Sequence, residues 1–277
     1  MNMIAIVNIN KIIIIFSLIL NIVLMLIITL VIAALTLIER KLLSLLQRRV
    51  GPYYVGYKGR LQYLADALKL LAKGFLVPHE TNKLYFYSIP SLVAGICYSF
   101  WVNSLWGPSI AVLELEYNIV YSTLLSTLFC LCIMLTGFIS KSKYAFLASI
   151  RSAVMSINLE IFLGLFFLNI TIFSESFSFS SFVYLQESVW LFFLFFLCSG
   201  IILITFLLEV NRAPFDLAEA ESELIAGYSV EYGAFSFALY YLGEYFHLFF
   251  FSLVISILLL GGWQIPKFFI YLNEFKV

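Results

Sequence analysis

A chain of 277 residues that is 63% hydrophobic, 12% charged and +1.03 in mean hydropathy has the composition of a polytopic membrane protein, not of a soluble core. Sixteen basic residues balance sixteen acidic ones without a basic stripe, which argues against a nucleic-acid partner. Cys97, Cys130, Cys132 and Cys198 lie in apolar runs and His79 and His247 stand far apart, so no metal or iron–sulfur ligand set is expected and the cysteines read as small packing residues.

Six stretches are long enough to cross a bilayer core of about 30 Å: 12–38, 84–106, 117–140, 144–173, 188–209 and 231–261. The expected fold is an all-α polytopic membrane protein, a single membrane domain over 1–277. Helices are required because backbone polar groups in lipid must pair within their own segment. The last span is either one long helix or breaks near Gly243. Lys11 is the single charge before an apolar run reaching Ile38, too long for a signal-peptide core, so the first span reads as retained. No Arg- and Ser-rich transit peptide precedes it, which for a mitochondrial protein favours synthesis inside the organelle. No internal repeat of the kind many transporters show is visible.

The segment from Arg40 to Lys83 carries nine Lys and Arg, and Lys141, Lys143 and Arg151 fall on the same side. The alternate loops hold Glu114, Glu116, Glu175 and Glu187 without a Lys or Arg. By the positive-inside rule the N-terminus is outside, and inner loops 39–83 and 210–230 face the cytoplasm or matrix. Within the first inner loop, Leu61, Leu64, Ala65, Leu68, Leu71, Ala72 and Phe75 line one helical face over 60–75, with Gln62, Asp66, Lys69 and Lys73 on another. Such a helix lies in the membrane interface or packs on a soluble partner. Glu39 and Arg40, at the inner end of the first span, are interfacial anchors or functional groups.

The second inner loop is unusual. Glu209, Asp216, Glu219, Glu221, Glu223 and Glu231 crowd into one short stretch, with Arg212 as its only cation, against the basic bias of that side. Pro214 suits the first turn of a short helix with Asn211 as its cap, which puts Asp216, Glu219 and Glu223 on one face. Closely spaced acids resist ionising together and so can share protons. Glu160 follows Arg151 by about 13 Å of helical rise, and Glu244 follows Glu231 by about 20 Å, so both carboxyls fall inside the hydrocarbon. Ionisable groups there are expensive and mark proton paths, or they are structural carboxyls bonded across helices.

The strings E-V-N-R-A-P-F-D-L-A-E-A-E-S-E-L-I-A-G-Y-S-V-E-Y from Glu209, E-R-K-L-L-S-L-L-Q-R-R-V-G-P from Glu39 and G-R-L-Q-Y-L-A-D-A-L-K-L-L-A-K from Gly59 resemble the family of membrane subunit 1 of respiratory complex I, the proton-pumping NADH:ubiquinone oxidoreductase. The resemblance covers about 12–262. It implies a subunit at the heel of an enzyme complex in the mitochondrial inner membrane, with ubiquinone as substrate. It also implies that NADH, FMN and iron–sulfur clusters are held by other subunits and that no catalytic group or covalent cofactor is on this chain. Carried over by position, Glu39, Arg40, Arg49, Asp66, Lys69, Arg212 and Asp216 belong to the quinone tunnel and its interface, with Glu39 and Arg40 ending the first helix. Glu160, Glu209, Glu219, Glu221, Glu223, Glu231 and Glu244 belong to the proton-coupling path. Expected partners are the peripheral quinone-module subunits, small membrane-arm subunits and lipids.

Three departures from the family pattern stand out. Gly74 replaces a usual Glu, and Met155 replaces a usual Gln four residues after Arg151. Two further helices, joined by a basic loop with an R-x-R-Y-D-Q-like motif, have no counterpart here, and the expectation is that a separate chain supplies them. The rival readings are the equivalent subunit of a membrane-bound hydrogenase-type complex, a free-standing proton-coupled transporter, and a purely structural anchor.

Overall fold

The computed structural model describes residues 2–107, 110–111, 115–212, 215 and 227–265. The chain divides into two compact units, Met1–Ala72 and Lys73–Val277, each described by itself. The first is built on α1 (Asn2–Leu46), a helix of 45 residues that overruns the expected span 12–38 at both ends. Its inner extension follows from composition, since Glu, Arg, Lys and Leu are all good helix formers and no breaker intervenes before Gly51-Pro52. Glu39 and Arg40 therefore sit inside the helix, not at its end as expected. The stop is a Schellman turn. Arg48 takes the left-handed conformation (φ 53), its N–H bonds the Leu45 carbonyl at 3.1 Å, and the Arg49 N–H reaches Ser44 at 2.9 Å.

The connection to α2 (Gln62–Ala72) folds tightly on itself. Gly59 (φ 72) has no room for a side chain, because a Cβ there would overlap the Pro52 carbonyl. Lys41 Nζ donates to the Lys58 carbonyl at 2.7 Å and ties this loop back to α1.

The second unit is a bundle of α3 (Lys83–Val102), α4 (Asn118–Ser140), α5 (Lys143–Ser174), α8 (Phe196–Glu209) and α9 (Ala234–Leu260). Two caps set the register where the chain turns. The Asn82 side chain accepts from the Leu84 N–H at 3.3 Å to open α3, and the Ser142 side chain accepts from the Ala145 N–H at 3.4 Å to open α5. Between α4 and α5 only Lys141 (φ 51) and Ser142 intervene, so the two helices run antiparallel in close contact. Gly137 permits this, since a methyl group there would overlap Ser149 Oγ and the Ala145 carbonyl.

Among the described residues, five helices are long and apolar enough to cross a membrane: Ile22–Leu46 within α1, α3, α4, α5 and α9. The expected span 188–209 is interrupted. It forms α7 (Leu191–Leu194), a break at Phe195 (φ −109, ψ 39), and then the 14-residue α8. By contrast α9 runs unbroken through Gly243, whose bare backbone lets α3 approach; a Cβ there would meet Val93 Cγ1 at 3.1 Å and Cys97 Sγ at 3.3 Å.

Two outer elements were not expected from the sequence. Leu105–Gly107 and Ile110–Ala111 pair as a short antiparallel ladder, and α6 (Phe179–Leu185) buries Phe179, Phe182 and Val183. The fully buried Gln186 fastens this end of the bundle. Its Nε2 donates to the carbonyls of Ile257 (2.9 Å) and Phe182 (3.2 Å), and its Oε1 accepts from the Leu191 N–H at 3.2 Å.

Candidate functional site

Apolar helices in lipid have little reason to carry hydroxyls in register unless they face something polar. On α4, Ser122, Ser126 and Cys130 recur every fourth residue; on α5, Ser152, Ser156 and Glu160 do the same. A four-residue repeat keeps a stripe on one helical face. The antiparallel packing turns the two stripes toward each other, so that Cys130 Sγ lies 2.7 Å from Ser156 Oγ and Ser126 borders the same cavity as Glu160. The Ser156 hydroxyl is also within reach of the backbone carbonyls of Ser152 and Ala153, both at 3.1 Å, and the Cys130 thiol of the Ala153 carbonyl at 3.7 Å.

Two carboxyl groups open onto this seam. Glu160 is half-buried and its Oε1 is buried without a hydrogen-bond partner. It borders a cavity of about 10 Å³ with Ser122, Thr123 and Ser126 on one side and Phe250 and Phe251 on the other. Glu209, the last residue of α8, is only 5% exposed, and its Oε2 is likewise buried and unpartnered. It borders a second cavity of about 10 Å³, shared with Cys130, Ser152, Ser156, Asn211 and His247. Each space is about that of one water molecule and is lined by groups able to bond it. A buried carboxylate oxygen without a partner costs several kcal/mol, which a water molecule in each cavity would offset.

Glu244, on α9, is half-buried and differs from the other two. The Tyr228 hydroxyl donates to its Oε1 from the single turn Gly227–Ser229, which packs against α4 and α5. Around it, Tyr232 stacks on Phe86 (4.2 Å, 6°) and meets Tyr240 edge-on at 5.1 Å. The Arg212 guanidinium lies 4.3 Å above the Tyr245 ring, a cation–π contact onto α9. Arg212 also stands at the rim of an apolar groove of about 410 Å³ between α8 and α9, lined by Leu203, Phe206, Leu248 and Ile255 among others.

In the first unit the expected interface residues sort differently. Arg40 Nη1 donates to Asp66 Oδ2 at 2.6 Å, and Gln62 Nε2 donates to Asp66 Oδ1 at 3.0 Å, so this acid is fully engaged. Arg49 and Lys69 are exposed, and Glu39 is half-buried and engaged in contacts of its own. Glu231 is half-buried at the entry to α9. Asp216, Glu219, Glu221, Glu223 and Pro214 lie outside the described residues. Asn211 does not have the extended backbone of a helix cap; its left-handed conformation (φ 51) ends α8. The structure therefore sets Glu160 and Glu209 on one seam, each at its own cavity, while Glu244 on α9 is bonded by Tyr228. Two features of this seam escaped the sequence reading: His247, which belongs to no ligand motif, and the paired hydroxyl stripes, whose four-residue spacing is the signal that could have found them.

The comparisons with known proteins agree on the family. The family model described as NADH dehydrogenase matches residues 19–276. The chain is 60% identical over 260 residues to NADH-ubiquinone oxidoreductase chain 1 of Paramecium tetraurelia, covering 94% of this chain and 100% of that one. It is 39% identical over 238 residues to the chain 1 protein of Metridium senile, covering 86% and 71%. It is also 37% identical over 234 residues to an NADH-quinone oxidoreductase subunit of Paramagnetospirillum magneticum, covering 84% and 69%. A helical membrane bundle with carboxyl groups in its interior, matched over nearly its whole length by these relatives, belongs to the family of NADH-ubiquinone oxidoreductase chain 1.

Proposed function

We propose that this chain is the membrane-arm subunit of a proton-pumping NADH:ubiquinone oxidoreductase of the mitochondrial inner membrane, and that it frames the access route of the quinone and begins the acidic path coupling quinone reduction to protons. One observation carries the reading: Glu160 and Glu209 each present an unpartnered buried carboxylate oxygen to a water-sized polar cavity between apolar helices. Intramembrane carboxyls of this kind hold and release protons where a purely structural acid would be bonded out. Relatives named for ubiquinone or quinone reduction support this acceptor over the hydrogenase-type alternative.

In this reading Glu39, Arg40, Arg49, Asp66, Lys69, Arg212 and Asp216 border the quinone route, with loops 39–83 and 210–230 on the matrix side. The isoprenoid tail gains about 25 cal/mol per Å² of apolar area it buries. The exposed row Leu61, Leu64, Leu68 and Leu71 on α2 supports a helix lying in the membrane interface, apolar side down. The apolar groove beneath Arg212 suits a lipid chain. Reduction of the quinone draws protons to its headgroup. The loop acids Asp216, Glu219, Glu221, Glu223 and Glu231 respond to that change, and Glu244, Glu209 and Glu160 pass it into the membrane arm. The chain supplies no redox centre; NADH, FMN and the iron–sulfur clusters belong to partner subunits.

The test is a complex carrying Glu160→Gln, assayed for ubiquinone reduction, proton pumping and electron transfer to ferricyanide. Pumping should fall by about 10²-fold while the ferricyanide rate holds. Pumping at the unmodified rate would make the seam structural.

A further inference from the structure

His247 is 2% exposed, and its Nε2 is buried without a hydrogen-bond partner. The ring is clamped by aromatics, stacked on Phe129 (4.8 Å, 20°), edge-on to Phe251 (4.4 Å, 89°) and 5.4 Å from Phe100. An imidazole held only for packing is a poor choice here, because a phenyl ring would fill the same space without stranding a nitrogen in a dry core. The stranded nitrogen is not in a dry core, however. His247 borders the Glu209 cavity, so two orphaned buried polar groups, a carboxylate oxygen and an imidazole nitrogen, open onto one space of about 10 Å³.

We infer that His247 and Glu209 hold a water molecule between them, and that His247 takes up and returns the Glu209 proton through it. The inference rests on the coupling role proposed above for Glu209. One water satisfies both orphans, donating to one and bonding the other, with the Ser152 and Ser156 hydroxyl oxygens and Asn211 on the same wall. When the Glu209 carboxyl gives its proton to the water, the water gives one of its own to Nε2. The carboxyl becomes a carboxylate, the ring becomes an imidazolium, and the net charge of the cavity is unchanged. The reverse transfer restores both groups. Along α9, His247 follows Glu244 by three residues and shares its face, and Phe250 and Phe251, one turn further on, wall the Glu160 cavity. The titratable groups that share its cavity are Glu209 from α8 and Cys130 from α4, and histidine is the side chain best able to take up a proton and return it there.

The experiment uses the intact complex carrying His247→Phe, His247→Asn or Glu209→Gln, with assembly checked by the size of the purified complex and by ferricyanide reduction. Proton pumping driven by a short-chain ubiquinone is measured together with the redox-induced infrared difference spectrum, in which the Glu209 carboxyl band is the one that Glu209→Gln removes. The phenyl variant should lower pumping about tenfold or more and shift that band, with the ferricyanide rate held. The amide variant, which can still bond the water but cannot carry its proton, should restore the band position without recovering the pumping rate. If His247→Phe leaves pumping and band unchanged while Glu209→Gln abolishes pumping, His247 is a packing residue and the inference falls, although the coupling role of Glu209 stands. Equal loss in both His247 variants with the band unmoved also overturns it. If Glu209→Gln itself pumps normally, the coupling reading fails first and takes the relay with it.

Discussion

Asp66, in the middle of α2, and Glu209, the last residue of α8, are both helical carboxylates, and their surroundings are opposite. Asp66 lies on α2 with both oxygens occupied, one by Arg40 at 2.6 Å and one by Gln62 at 3.0 Å, and the ion pair is open to solvent. Glu209 is 5% exposed, and its Oε2 faces a polar cavity without a protein partner. A carboxylate that is solvated and paired costs little to keep and fixes geometry. One that is buried and left short of partners is costly, and persists where the cost serves a function. The difference separates the acids that hold the chain in shape from those able to exchange protons.

The sharpest way to break this comparison is Glu209→Gln set against Asp66→Asn in the assembled complex. The amide keeps the size of the carboxyl but carries no exchangeable acid proton. The Glu209 variant should lose about 10²-fold in coupled ubiquinone reduction and pumping, with ferricyanide reduction unchanged. Asp66→Asn should cost much less in pumping and act through the quinone KM instead, because it disturbs an interface and not a proton site. Equal losses at the two positions would erase the distinction that burial and partnering draw.

A middle-sized effect tests the seam that holds the buried acids. At Gly137 the crossing of α4 and α5 leaves no room for a methyl group, which would overlap Ser149 Oγ and the Ala145 carbonyl. Gly137→Ala should therefore destabilise the bundle by about 1–3 kcal/mol, the usual cost of overpacking. It should also misalign the Cys130–Ser156 contact one or two turns away. Thermal inactivation of the complex measures the first effect, and the pumping ratio of the surviving enzyme measures the second. A Gly137→Ala complex as heat-resistant as the parent would show that the crossing has slack.

How much of this was legible beforehand follows from which forces act locally. The helices α3, α4, α5 and α9 were readable because apolar run length is a local property, and the same property put Glu160 and Glu244 within α5 and α9. The inner overrun of α1 was not, because Glu39, Arg40 and Lys41 look like an interfacial stop although they are good helix formers. The break at Phe195 carries no Pro or Gly to announce it, and α6 and the Leu105–Gly107 ladder form in Ser-, Phe- and Trp-rich stretches whose structure depends on what they pack against. The facing stripes of α4 and α5 were present in the sequence as four-residue repeats, but only the antiparallel register pairs Cys130 with Ser156 and places Ser126 beside the Glu160 cavity. His247 gave no motif, and its place follows entirely from tertiary packing. The acids at 216–223 carried most of the sequence-level argument and lie outside the described residues.

The smallest predicted effect concerns the solvated half of the comparison. The side chains of Arg40 and Asp66 are 46% and 34% exposed, so water screens most of their attraction and their coupling should be about 0.2–1 kcal/mol despite the 2.6 Å contact. A double-mutant cycle on Arg40→Ala and Asp66→Ala, read by thermal inactivation of the complex, measures it. A coupling of about 3 kcal/mol or more would mean that the assembled complex buries this pair, since removing one partner of a buried ion pair strands the other. Asp66 would then join Glu209 among the acids whose surroundings are set by burial, and the contrast would belong to the isolated chain alone. A coupling inside the expected range leaves Asp66 as a charge held in place by two partners at the water's edge, where its loss changes how well a quinone docks and not how protons move.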